Sequence, residues 1–326
     1  LLNLRNHISL IAKLQEKFMG ISAQRSLPVW KSNNFWSNKK QNAPYQFTAA
    51  ELTQVDQNGN RGVVLLADTF NAYFEDENLR AALDVLKAAG YRVHIPQKNK
   101  STSNTANTCS KEFCCGRTYL AAGMVDKAKA SLDELVDHLA PYAEKGVPII
   151  GLEPSAPYAE KGVPIIGLEP SCLFTLKDEA LVMGFGERAV TVSQHAQLLE
   201  EFLASESKAG KLKLNLKAAT RPVLFHGHCH QKSFAAVTPA LELLRLIPNA
   251  EPQLIESSCC GMAGSFGYEA EHIEVSKQMA EASLLPTIRK SPDSWVVADG
   301  TSCRHQIADG THRDAVHIAK ILAAHL

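Results

Sequence analysis

An α/β fold of two duplicated domains, each a small parallel sheet flanked by helices, is predicted by three features of the sequence. Continuous apolar runs such as Val63-Val64-Leu65-Leu66-Ala67 and Trp295-Val296-Val297-Ala298 alternate with segments of helical periodicity, the order expected of strands covered on both faces. A Cys-Cys-Gly element occurs at 114–116 and again at 259–261, and each copy is followed by a later single cysteine, Cys172 or Cys303. The spacings agree once insertions are set aside. Asp68, aligned with Cys229, lies 46 positions before its Cys-Cys pair against 30 in the second half, and the excess of sixteen equals the length of a polar loop at 98–113. Cys172 follows Cys115 by 57 positions and Cys303 follows Cys260 by 43; the first figure becomes 41 when one copy of a sixteen-residue tandem repeat is removed.

A chain of 326 residues is long enough for two ordinary cores. Lys+Arg and Asp+Glu both number 34, so the formal net charge is zero, and neither a nucleic-acid footprint nor a polybasic membrane patch is evident. No apolar run approaches the ~18 residues of a spanning helix, and Leu1-Leu2-Asn3-Leu4-Arg5 does not read as a signal peptide. Leucine at position 1 is compatible with a piece of a longer protein. Eight cysteines, four of them in two adjacent pairs, do not resemble a small secreted disulfide scaffold and point to metal or redox work in a reducing compartment.

Residues 1–60 read as an N-terminal helix and an extended arm. Leu4, Ile8, Ile11, Leu14 and Phe18 recur at helical steps, with Gly20 as the stop. In the arm, Trp30, Phe35 and Trp36 are expected to be packing anchors. The first domain, 61–205, opens with a strand at 63–67, a helix over 78–89 stopped by Gly90, and a strand at 91–95. After the loop 98–113 and Cys114-Cys115-Gly116, a helix is expected from Tyr119 to Leu139 and a strand at 147–151.

Residues 140–155 are then repeated letter for letter at 156–171. Only the second copy runs into Cys172, so Val163 to Leu168 is expected to take the central strand, leaving 140–155 irregular or displaced to an edge. A helical region follows to Phe202, and 205–220 reads as a Lys-rich connector. Gly184-Phe185-Gly186 weakly resembles a dinucleotide fingerprint, but no apolar strand leads into it.

The second domain, 206–326, repeats the order. A strand at 222–225 ends on His226-Gly227-His228-Cys229-His230, a helix covers 239–246, and a strand at 253–255 leads to Cys259-Cys260. A helix over 269–288, a strand at 295–298 ending at Cys303, and a helix over 314–326 complete it.

In both halves the cysteines follow strand ends, where ligands collect in parallel sheets. Cys229, Cys259, Cys260 and Cys303 form a four-thiol set suited to an iron–sulfur cluster or zinc. Two thiolates from adjacent residues serve one centre only if the backbone turns sharply, which Gly261, Gly264 and Gly267 allow, and glycine N–H groups can then hydrogen-bond sulfur. The possible second site holds Cys114, Cys115 and Cys172, with Asp68 in place of the leading cysteine; Cys109 lies in the inserted loop. This half is expected to bind metal weakly or not at all. His226, His228 and His230 alternate and are candidate ligands or polar neighbours; His228, His230, Gly261, Gly264 and His305 are expected to surround the metal ligands. Glu153, Glu169, Glu256 and Asp299 precede the cysteine loops as caps or N–H acceptors. Zinc-stapled docking and metal-free thiol–disulfide exchange are the competing chemistries.

These residues resemble the duplicated cysteine-rich CCG domains of heterodisulfide reductase B subunits and glycolate oxidase iron–sulfur subunits. The phrases HGHCHQKSF, ESSCCGMAGSFGYEAEH and ADGTSCRHQIADG are similar to the C-terminal region of FAD-binding D-2-hydroxyacid dehydrogenases, of the D-lactate and D-2-hydroxyglutarate type. The resemblance implies a 4Fe-4S cluster, FAD on a separate domain or subunit, and electron flow from flavin through a ferredoxin-type module to the CCG clusters. It further implies a flavoprotein partner, a peripheral membrane or quinone-linked acceptor, and a location in the cytoplasm or on the inner face of the membrane. Cys303 is followed by Arg304-His305-Gln306 rather than a Cys-x-x-Cys ending, which argues against a five-thiolate non-cubane cluster. With neither a flavin domain nor a ferredoxin Cys-x-x-Cys-x-x-Cys run, this chain alone is not expected to oxidise a hydroxyacid.

Overall fold

Strand β1, Arg61–Leu65, is buried along all but its first residue because it lies inside a parallel sheet with helices on both faces. In the computed structural model, which describes residues 2–37, 46–98, 113–144 and 163–326, it pairs with β2, Tyr91–His94, and β3, Ile165–Gly167. A further strand, β4, Ala196–Leu198, gives the order β2-β1-β3-β4. The helix Asp76–Ala88 lays Leu79, Leu83 and Leu86 on the core, the expected stripe, and the chain turns into β2 through Gly90 at φ 78°. The helix Val125–Glu144 contributes Leu132, Leu135, Val136 and Leu139. This sheet belongs to a compact unit of residues 33–214. Within it Phe35 and Trp36 are buried and meet edge to face at 5.1 Å, the anchoring role expected for them.

The second unit combines residues 1–32 with 215–326. Its strands β5, Val223–His226, β6, Pro252–Leu254, and β7, Trp295–Ala298, are parallel in the order β6-β5-β7. That order repeats β2-β1-β3, which is the expected duplication. Met262, Leu284, Leu285, Ile288, Val296 and Ile307 fill one side of this sheet. Residues 1–32, read from sequence as part of a separate arm, supply a 3-10 turn at Leu2–Asn6 and a helix at Ser9–Met19 capped by Gly20 at φ 70°.

Several boundaries differ from expectation. The first helix starts at Ser9 and not Leu4, and Leu10, Leu14 and Phe18 on it are exposed. The helix expected over 119–139 is two helices, Arg117–Ala121 and Val125–Glu144, parted by Gly123 at φ 71°. The helical reading of 172–202 missed β4, and the helix expected over 269–288 divides into Ile273–Glu281 and Leu284–Arg289.

Of the tandem repeat, the second copy supplies β3 between β1 and β4, as expected. Residues 140–144 of the first copy are not irregular. They finish the helix, and Tyr142 stacks on His94 at 4.8 Å while sharing a 2.9 Å hydrogen bond with it. The rest of that copy, with the strand expected at 147–151, lies outside the described residues.

Candidate metal centre

Each of the four thiols expected to act together leaves the carboxyl end of a strand in the second unit. β5 runs through Gly227 into the helix Cys229–Ser233, so Cys229 is the first helical residue. β7 runs into the helix Thr301–Thr311, which carries Cys303 on its first turn, and the loop after β6 carries Cys259 and Cys260. Because β5 lies between β6 and β7, the three connections emerge side by side.

The Cys-Cys turn depends on Gly261. Its φ is 88°, and a Cβ there would stand 2.3 Å from the carbonyl oxygen of Ser276, so no side chain fits. The turn lets the Gly261 N–H donate to Cys259 Sγ at 3.3 Å.

Hydrogen bonds link the sulfurs in the order Cys229, Cys259, Cys260, Cys303. The Cys229 and Cys260 thiols both donate to Cys259 and hold it far below the usual thiol range. Cys303 is likewise held down by its contact with Cys260, against the opposing effect of burial. Cys229 and Cys260, which carry the shared protons, are pushed up correspondingly. Metal coordination uses the deprotonated sulfurs, so binding at this set releases protons. Cys229 is exposed and Cys303 buried, so the set reaches from the surface into the core.

Around the sulfurs, His228 caps the helix: its Nδ1 accepts from the N–H of His230 at 3.2 Å and lies 3.8 Å from Cys229 Sγ. His230 stacks on it at 5.1 Å. Gly300 must lack a side chain because a Cβ there would strike the His228 ring at 2.3 Å. Gly264, at φ 69°, turns the glycine ribbon, and His305 bonds Tyr268 at 3.1 Å. Asp299 accepts N–H bonds as expected, from Gln231 Nε2 and the Ile318 amide, each at 2.9 Å.

Three participants escaped the sequence reading. The Lys232 ammonium donates to the carbonyls of Ser257 and Ser258, a placement that also sets it in the field of all four sulfurs. Gln306 donates from Nε2 to the carbonyl of Cys260. Arg25 donates to Gln306, to the Gly267 carbonyl at 3.1 Å and to Ser276 Oγ at 3.2 Å. Lys232 and Gln306 stand near cysteines in sequence; nothing local marks Arg25. The donor set and the buried ring nitrogen of His226 beside Cys260 and Cys303 fit a thiophilic metal or an iron–sulfur group.

Residues 223–308 match the cysteine-rich domain family CCG. The CCG match begins with β5 and takes in all four thiols. The chain is also 26% identical over 327 residues to a component of the anaerobic glycerol-3-phosphate dehydrogenase of Escherichia coli K12, covering 99% of this chain and 71% of that one. It is 27% identical over 280 residues to the D-2-hydroxyglutarate dehydrogenase of Pseudomonas putida, covering 83% of this chain and 23% of the relative. The Escherichia coli K12 D-2-hydroxyglutarate dehydrogenase is likewise 27% identical, over 301 residues. The resemblance to the CCG region of such dehydrogenases is borne out, and the chain is an oxidoreductase component.

The first-half counterpart repeats the CCG turn. Gly116, at φ 79°, donates its N–H to Cys114 Sγ at 3.4 Å, and a Cβ there would stand 2.6 Å from the carbonyl of Ala128. Hydrogen bonds run from Cys114 to Cys115 and on to Cys172. The Cys115 bond lowers Cys172, but burial and the nearby Asp68 and Glu169 carboxylates prevail and push its thiol up to about 11. Glu169 caps the Cys172 helix, as expected, accepting from Ser171.

The alignment of Asp68 with Cys229 needs correction by one residue. The β1–β3 pairing Val64↔Ile165 corresponds to Leu224↔Val296 in β5–β7, and Asp68 caps its helix as His228 caps the other. Thr69 therefore stands where Cys229 does. Asp68 accepts from the Phe70 and Asn71 amides and from Asn71 Nδ2, a capping role in place of the leading ligand proposed from spacing.

Proposed function

We propose that this chain is the iron–sulfur electron-transfer module of a flavin-dependent dehydrogenase, with Cys229, Cys259, Cys260 and Cys303 holding a cluster of the 4Fe-4S kind. The observation that carries the reading is the continuous four-sulfur chain at the strand ends with a glycine N–H directed at it. The cluster, when bound, supplies one-electron storage. The protein's part is to hold the sulfurs, to direct the Gly261 N–H at Cys259, and to set the Lys232 charge beside them, both of which favour the more negative, reduced state.

The two relatives' names share one chemistry, since glycerol 3-phosphate and D-2-hydroxyglutarate each offer a secondary alcohol to oxidise. We assign this chain's partner accordingly to a flavoprotein that takes two electrons from such an alcohol, a 2-hydroxyacid or a polyol phosphate. A ferredoxin-type module is placed between flavin and thiols, and a quinone-linked acceptor on the membrane's inner face beyond them. Among the described residues no helix is long and apolar enough to cross a membrane, so contact with such an acceptor is proposed as peripheral, from the cytoplasmic side.

Anaerobic reconstitution with iron and sulfide tests the reading. A broad visible absorbance that dithionite bleaches is expected; a colourless protein holding stoichiometric zinc would replace it with the docking role.

A further inference from the structure

His226 ends β5 directly beneath the sulfurs. It is 1% exposed, and its imidazole, Cys260 and Cys303 bring their donor atoms within 4.8 Å of one another, all three residues buried. Its two ring nitrogens are treated differently. Nδ1 lies 2.9 Å from Ser257 Oγ, and that hydroxyl donates its own proton to the Ile255 carbonyl at 3.4 Å. In the tautomer with the hydrogen on Nδ1, the Ser257 oxygen is the acceptor and the lone pair lies on Nε2. Nε2 is buried, has no nitrogen or oxygen partner, and faces the Cys303 sulfur, whose thiol the imidazole helps to hold down. An imidazole held to an oxygen through one nitrogen and turned toward thiols with the other is the arrangement by which proteins orient a metal-binding histidine.

We propose that His226 is a fifth donor to the metal group, binding through Nε2 at the buried end defined by Cys260 and Cys303. The proposal rests on the reading of the four thiols as a metal site and adds a nitrogen to it. Coordination uses the neutral imidazole's lone pair, so no proton leaves this residue. The Ser257 bond fixes the ring plane, and the surrounding core keeps water from competing for the position. A neutral imidazole in place of a fifth thiolate makes the centre easier to reduce.

The test is pulsed EPR on the full chain, reconstituted with iron and sulfide, reduced, and labelled with 15N-histidine. A strongly coupled histidine nitrogen is expected, lost in His226→Cys, with that variant keeping its iron and showing a more negative midpoint potential. An iron–sulfur signal without histidine coupling overturns the assignment while leaving the proposed function standing. So does coupling that persists in His226→Cys. The labelled wild type decides the matter even if the variant does not fold. If the chain takes up zinc in place of iron, the electron-transfer reading falls, and zinc-edge absorption decides His226 separately: one nitrogen scatterer supports it, an all-sulfur shell overturns it. A chain that binds neither metal overturns both.

Discussion

Gln306 Nε2 donates to the carbonyl of Cys260 at 2.8 Å and to that of Ser276 at 3.0 Å, so a single amide ties the cysteine loop to the helix behind it. Gln306→Leu leaves two buried carbonyls without that donor. The expected loss is about 2–6 kcal/mol at ~1–3 kcal/mol per orphaned group, together with weaker metal retention. Urea unfolding of the full chain measures the first, and an unchanged midpoint would show that the amide holds nothing.

Gly261→Ala should abolish metal retention. The added Cβ meets Ser276 O at 2.3 Å in backbone with φ 88°, and the left-handed conformation alone costs about 1–2 kcal/mol for an L-residue. Gly116→Ala meets a similar obstacle, Ala128 O at 2.6 Å, and should lower stability without changing iron stoichiometry. Iron-to-protein ratios after reconstitution separate the two; a loss of iron in Gly116→Ala would contradict the weak first site.

The two halves should also differ in their cysteines. Cys229→Ser is expected to cost most of the iron and Cys114→Ser little, with equal losses counting against the asymmetry. The cap register adds a sharper comparison. Thr69→Cys restores a thiol where Cys229 stands in the other half and should raise iron uptake, whereas Asp68→Cys removes a helix cap and should not. The reverse outcome would reinstate the sequence alignment.

Asp68 makes stability depend on pH. Burial pushes its carboxyl up to about 6, against the opposing bonds from Asn71 and Phe70. An acid whose folded pKa lies above its unfolded value of ~3.9 holds its proton longer in the native state, so stability falls as pH rises from about 4 to about 6 and then levels. The span corresponds to about 3 kcal/mol at most. Asp68→Asn should flatten this slope, and denaturant midpoints at pH 4.5 and 7 that differ as much as in the parent would refute it.

The strands β1, β5 and β7 were legible because a parallel strand buried on both faces is a continuous apolar run. β4 was not: its three residues include the polar Gln197 and sit between helices, so no period marks them. The cysteine set was legible because adjacent cysteines before glycine have little use as core. The one-residue error at Asp68 arose because spacing counts residues across loops of unequal length, whereas a helix cap fixes position by hydrogen bonds. His226 was visible as one of three alternating histidines, but only the fold shows that it faces the sulfurs. Arg25 was invisible, since its partners are made by the far end of the chain.

The bond from Arg25 to Gln306 joins residues 281 positions apart. A ribosome adding about 5–20 residues per second needs roughly 15–60 s to travel that distance. The nascent chain therefore carries Arg25 for that whole interval before the glycine ribbon and the Cys303 helix can close on it, and the interrupted unit can be completed only after the intervening one has been synthesised. Metal delivered earlier would meet incomplete sets of thiols, so the proposed centre is expected to fill only after translation. A shortened gene starting at residue 206 would produce the four cysteines without the guanidinium that braces them.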